Sequence, residues 1–298
     1  MVILEPGKVT ERITLLGLRE SCVYLLDGGG EFALLGGGMV TAIPAVLKQI
    51  AELDIDPEKI RRIVISHAHF DHVGIVPYFK RRWPWMKVTA SARARDNLAR
   101  PAVIKAIVDF SSLLLAQAGM PERAREFGFD GLDAFPIDEV VQEGDRLTCG
   151  DRTLEIIATP GHSSCSIAAY VREEQALLAS DAGGVPFGER VFVAANSNFD
   201  QYQESLEKMS HYPALAHLSE HYGALTGGDA RSFLPRSMEE TRTMRGLIEE
   251  SLKRTGSVAA TVGEIEEVIT KEAKGYFLPR EVIHMILGQM TNSLAKSR

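Results

Sequence analysis

The stretch Ser66-His67-Ala68-His69-Phe70-Asp71-His72 constrains this chain more than any other. It follows the apolar run Ile63-Val64-Ile65, which reads as a buried strand. Gly74 and the apolar residues 75–79 behind it predict a turn into a helix. The polar cluster therefore falls at the C-terminal end of a strand, where open α/β sheets place their sites. Side chains two apart in an extended segment point the same way, so His67 and His69 can grip one ion together. Asp71 and His72 are adjacent and fit better facing a second ion as the chain turns. Imidazole with carboxylate suits zinc, iron or manganese. A polar turn with coincidental histidines is the bland alternative. It is weakened because only 8 histidines occur in 298 residues and three of them are here.

His-Ala-His-Phe-Asp-His resembles the H-x-H-x-D-H signature of hydrolases with the metallo-β-lactamase fold. Thr159-Pro160-Gly161-His162, Ser180-Asp181 and Glu220-His221-Tyr222-Gly223 fill that family's later ligand positions in order. The resemblance spans about residues 10–230. It implies an α/β protein, an αββα sandwich, here with a helical C-terminal extension. It also implies two divalent ions, zinc or iron with manganese as a third option. His67, His69 and His162 would hold one; Asp71, His72 and His221 the other; Asp181 would bridge. A metal-bound hydroxide would then be the nucleophile, with Asp71 orienting it or shuttling its proton. His211 and His217 are rivals for the last position. His221 is preferred because residues 223–227 resemble the family's segment after its final histidine.

Gly36-Gly37-Gly38 stands where most relatives carry Asp-Thr-Gly, so a buried acidic residue that usually supports the site is missing. That departure, a long helical insertion and the tail motif Tyr276-Phe277-Leu278-Pro279 resemble the bacterial quinolone-signal response thioesterases. The likeness implies a thioester substrate of the acyl-coenzyme A kind. A lactone hydrolase, a phosphodiesterase, or a regulatory binding protein that keeps its metal site remain as alternatives, since fold does not name substrate.

The remaining sequence sets the frame. Residues 13–16, 22–26 and 32–35 read as strands separated by glycine-rich turns, and 41–53 as a helix capped by Thr41. Residues 91–128 read as a mostly helical insertion, either packed on the body or walling the metal site. Residues 183–199 read as a loop whose Phe187, Phe192, Asn196 and Phe199 are available to line a cleft. Asp200 is expected to cap a helix over 200–209. Beyond about 235 the pattern is helical: 237–253, a second helix opened by a capping box at Thr261–Glu264, and a third from Pro279 to about Ala295. The expected division is a catalytic domain over 1–232 and a helical extension over 233–298. Phe192, Phe277 and His284 are the candidate substrate-binding residues.

A net charge of −7 and a pI near 5.7 argue against a nucleic-acid partner. No apolar run approaches the ~20 residues that span a bilayer. The N-terminal residues lack a signal-peptide pattern, so a cytoplasmic location is expected. Cys22, Cys149 and Cys165 are expected to be reduced and buried. A small-molecule ester or thioester is the expected partner, and a homodimer is compatible with the sequence.

Overall fold

Strands that are apolar on both faces need a cover on each side, and that requirement builds four layers here. The computed structural model describes residues 1–272, 275, 276 and 278–296. In chain order the first half comprises β1 (Val2–Ile3), β2 (Gly7–Lys8), β3 (Ile13–Leu18), β4 (Ser21–Asp27), β5 (Phe32–Leu35), α1 (Ile43–Glu52), β6 (Ile60–Val64), α2 (Val76–Arg82) and β7 (Lys87–Ser91). The insertion follows as α3 (Ala92–Leu98), α4 (Pro101–Gln117) and α5 (Arg123–Glu126), and β8 (Glu139–Val141) closes this half. The second half begins with β9 (Arg146–Cys149), β10 (Arg152–Ala158), β11 (Ile167–Val171) and β12 (Ala176–Leu178). Next come β13 (Val185–Phe187), β14 (Arg190–Phe192), α6 (Phe199–Ser210), β15 (Ala216–Leu218) and β16 (Ala224–Thr226). The tail is α7 (Gly228–Thr255), α8 (Val258–Glu272) and α9 (Arg280–Lys296).

One sheet runs β2-β3-β4-β5-β6-β7-β8 and the other β1-β16-β15-β12-β11-β10-β9. On β4, Cys22, Tyr24 and Leu26 face the second sheet, while Val23 and Leu25 face α1 and α2. On β11, Ile167, Ala169 and Val171 face inward and Ala168 and Tyr170 face the C-terminal helices. This period-two alternation gives three stacked apolar layers, and the αββα order follows from it. All three cysteines are free and buried.

Several local boundaries differ from the sequence reading. Thr41 lies in a 3-10 turn, and the residue before α1 is Ala42, with Pro44 preset for the first turn. The cap of α6 is Asn198, whose side chain accepts from the Gln201 N–H; Asp200 instead pairs with Arg245. Residues 183–199 contain the β13–β14 hairpin. Helix α7 begins at Gly228 and carries Pro235 inside it, because Ala230, Phe233 and Leu234 are buried and hold the extra turns. Ser257, not Thr261, accepts the N-terminal bond of α8, while Thr261 is buried beside Ser251 and Glu264 pairs with Arg254.

The insertion both packs and lines. Ile104, Ile107 and Leu115 join the core outside the first sheet, and Phe110 stacks on Phe70 at a centroid distance of 4.8 Å. The tail shares a core with the body: Ile248, Leu252, Val262, Leu287 and Met290 pack with Ile157, Tyr170, Phe199 and Tyr202. Because this core is continuous, heating is expected to give one unfolding transition. Ile248→Ala is expected to cost ~2–5 kcal/mol in denaturant titration without splitting the transition; a separate early transition of the tail would contradict a shared core.

Candidate metal centre

Four strand ends in the two sheets deliver the polar side chains. His67, His69, Asp71 and His72 follow β6, His162 follows β10, Asp181 follows β12, and His221 follows β15. All except His69 are buried. The structure thus brings together all seven residues expected as metal ligands. Nε2 of His67, Nδ1 of His69 and Nε2 of His162 lie 3.0–3.1 Å from one another. Nε2 of His72 and Nε2 of His221 are 3.1 Å apart. Asp181 stands between the two groups, with Oδ2 at 3.2 Å from His72 and 3.4 Å from His162, and Oδ1 at 3.6 Å from His221. Asp71 Oδ2 approaches His221 at 3.5 Å.

The ring nitrogens pointing away from the cluster are also engaged. His162 Nδ1 meets the Ala194 carbonyl at 2.8 Å, and His221 Nδ1 meets the Glu20 carbonyl at 2.6 Å. A carbonyl only accepts, so each of these nitrogens carries the proton and leaves Nε2 as a bare lone pair facing the cluster. Lone pairs crowded together in this way fit a cation between them. Nitrogen separations near 3.1 Å approach the edge of a tetrahedron around zinc, about 3.3 Å for bonds of roughly 2.0–2.1 Å. Among the described residues the buried Asp181 Oδ1 has no hydrogen-bond partner, which again fits an ion. The donor set is nitrogen and oxygen without thiolate, which suits zinc, iron or manganese.

Electrostatics separate the histidines. Burial and then the neighbouring imidazoles hold His67 well below its ordinary pKa. Burial is also the main cause that takes His69 and His162 down to about 4. These three are neutral donors near pH 7. Burial acts in the same sense on His72, but Glu220, Asp181 and Asp71 outweigh it and raise its pKa well above the ordinary value. Asp181 moves the other way: burial opposes its charge, yet His72 and His221 draw it well below the usual carboxylate range.

A residue that sequence reading passed over stands behind this cluster. Glu220 is buried, and its Oε2 accepts from Ser180 Oγ at 2.6 Å and from Ser66 Oγ. The same oxygen is 3.0 Å from His72 Nδ1, an ion-pair contact out of line for a well-formed hydrogen bond. Its only sequence signal was the adjacency to His221. Beside His162, Ser163 and Ser166 are bonded to each other.

Above the cluster lies a cavity of about 370 Å³ with His69, Asp71, His162, Asp181 and His221 on its floor. Its walls are Val103, Ile107 and Phe110 of α4, Phe192 at the end of β14, and Tyr276, Ile283 and Met290 of the tail. Phe192 lines the cavity, stacked on Tyr276 at 4.5 Å, and Asn196 lines it too. Phe187 packs against Phe192 and Tyr276, whereas Phe199 is a core residue. His284 points elsewhere on α9: its ring is more than half exposed and pairs with Glu266 at 2.7 Å. Phe277 lies outside the described residues. His211 is exposed at the end of α6, and His217 is buried against Phe233, its Nε2 unpartnered; burial takes it down to about 3.

The metallo-beta-lactamase superfamily profile matches residues 16–216. The chain belongs to the metallo-β-lactamase superfamily. Acyl-coenzyme A thioesterase MBLAC2 of Gallus gallus is 29% identical over 147 residues, which is 49% of this chain and 49% of that protein. The probable metallo-hydrolase YqgX of Bacillus subtilis is 27% identical over 168 residues, 55% of this chain and 66% of that protein. The chain thus spans about half the length of the first of these superfamily relatives. Among solved structures, a metallo-beta-lactamase family protein from Thermus thermophilus superposes with a TM-score of 0.63 at 20% identity, covering 99% of this chain and 94% of that one. That likeness shows that the fold is shared along the whole described chain, tail included.

If the cluster binds ions as its geometry indicates, elemental analysis after dialysis against zinc should find close to two per chain. His69→Ala should lose metal and activity together, since it removes one of the three nitrogens of that group. A preparation that never exceeds one ion per chain would refute a two-ion centre.

Proposed function

We propose that this superfamily member is a metal-dependent hydrolase of thioesters with an apolar acyl group, working with two divalent ions. The observation that carries the reading is the character of the cavity. Among the described residues lining it there is no lysine or arginine, while the carboxylates of Asp71 and Asp181 lie at its floor. A phosphodiester or a carboxylated lactam would find no cationic side chain on the walls and would depend on the ions at the floor alone to meet its charge. An alkyl or aryl chain would meet Val103, Ile107, Phe110, Ile283 and Met290. The volume lies near the lower end of small-molecule pockets, so medium-length or bicyclic acyl groups fit better than long chains. The relatives named acyl-coenzyme A thioesterase support the same class.

His67, His69 and His162 would hold one ion, Asp71, His72 and His221 the other, and Asp181 would touch both. When bound, such a pair supplies Lewis acidity and makes water nucleophilic at neutral pH. The chain's own residues do the rest. The α4 and α9 walls hold the acyl group and exclude water from around it. That fixes the carbonyl over the floor, where proximity lowers the barrier. Asp71, on the floor, is placed to orient the attacking water and accept its proton. The leaving thiolate needs no strong acid, because a thiol has a pKa of roughly 8.5.

A panel of acyl-coenzyme A thioesters, an acylated lactone and a bis-aryl phosphate tests the substrate class. We expect kcat/KM to be highest for a thioester and to peak at intermediate chain length. An acyl group ending in a carboxylate should lower it roughly 100-fold. A lactone turned over faster than every thioester would overturn the thioesterase reading and leave a metal hydrolase. Asp71→Asn should keep part of the metal and lose roughly 10²–10⁴-fold in kcat, because an amide cannot accept the proton. Turnover close to wild type would remove Asp71 from the mechanism.

A further inference from the structure

We propose that Glu220 is the positioning residue of this centre, its carboxylate occupying the space that Gly36 leaves open. The inference rests on the metal reading of the cluster. Gly36 has φ +91°, and a Cβ built there would lie 2.6 Å from Glu220 Oε1. The glycine is thus required by the glutamate: any side chain at 36 would displace the carboxylate. Gly37 is equally confined, since its Cβ would fall 2.2 Å from the His72 carbonyl. The glycine run that departs from the Asp-Thr-Gly pattern is therefore a mould for two things, the turn of the metal loop and a carboxylate arriving from the opposite sheet.

Glu220 reaches every ligand-bearing segment except that of His162. Ser66 precedes His67 and Ser180 precedes Asp181, and both hydroxyls bond to Oε2. His72 Nδ1 faces the same oxygen, and Glu220 itself precedes His221. Ser180 and Tyr222 hold φ of +50° and +58°, strained values for residues other than glycine, on either side of this contact. The glutamate's own backbone is fixed as well: its carbonyl accepts from the Cys22 N–H at 2.8 Å, and the Tyr222 N–H donates to Arg19 at 2.7 Å. A carboxylate 3.0 Å from His72 Nδ1 favours the proton on that nitrogen, which leaves Nε2 to face an ion when one is bound. Such a contact fixes both the ring's tautomer and its orientation.

Glu220→Gln separates positioning from support of the fold. The two serine hydroxyls rotate and can serve an amide as well as a carboxylate. His72 Nδ1 would instead face a weaker, neutral acceptor or an N–H donor. We expect the chelated, metal-free variant to melt within a few degrees of chelated wild type. In zinc competition against a chromophoric chelator, one ion should bind as in wild type and the other 10–100-fold more weakly. Wild-type affinity for both ions would overturn the proposal, and so would a large loss of stability confined to the metal-free form. If the glutamine variant does not fold, Glu220→Asp decides: it withdraws the charge from His72 without removing it. Weakened binding of one ion supports positioning, and unaltered binding overturns it. Wild-type protein that binds no zinc would instead dismiss the metal reading itself, a separable result.

Discussion

Nitrogen lone pairs repel one another, and five imidazoles converge here, four of them buried. Two features fix the arrangement. Backbone carbonyls of Ala194 and Glu20 take the outward protons of His162 and His221. Carboxylates inside the cluster supply the opposite charge. The sheets exist in this geometry so that strand ends β6, β10, β12 and β15 meet at one edge. Tyr24 links the sheets across that edge: from β4 its hydroxyl lies 2.6 Å and 2.8 Å from the carbonyls of Ser219 and Gly223, either side of the Glu220-His221 pair. The core residue and the site residue are neighbours in one bonded network, so rigidity in the sandwich becomes alignment at the cluster.

Much of this was legible in the residues. Spacing alone put His67 and His69 on one side of an extended segment, and the family resemblance marked His162. The apolar run at 22–26 was readable as a strand. What stayed hidden depends on contacts between distant segments. Glu220 carries no local mark, because nothing near it in the chain shows that Gly36, far earlier, leaves it room. Helix starts at Thr41, Asp200 and Thr261 were misplaced since several residues compete for each cap and tertiary burial chooses among them. The hairpin at β13–β14 was missed because each strand has only three residues. Phe192 was legible as a cleft residue. Tyr276, its stacking partner, was noticed only as part of a motif.

The tail is the part whose role the sequence left most open. Its helices do not merely lean on the sandwich. Leu287 and Met290 belong both to the core shared with Tyr170 and Phe199 and to the wall of the cavity over the cluster. The insertion helix α4 has the same double character through Ile107. Selectivity and stability are therefore written in the same side chains.

That double membership has a thermodynamic consequence. A cavity walled by core residues is an unfilled portion of the hydrophobic interior. An apolar guest entering it completes the packing as an additional core side chain would. Folding and occupancy are then linked equilibria: whatever fills the space lowers the folded state in free energy by RT ln(1 + L/Kd), with L its free concentration, so by more for a tighter guest. The melting temperature of this protein becomes a gauge of what its interior holds, readable with no chemical turnover at all.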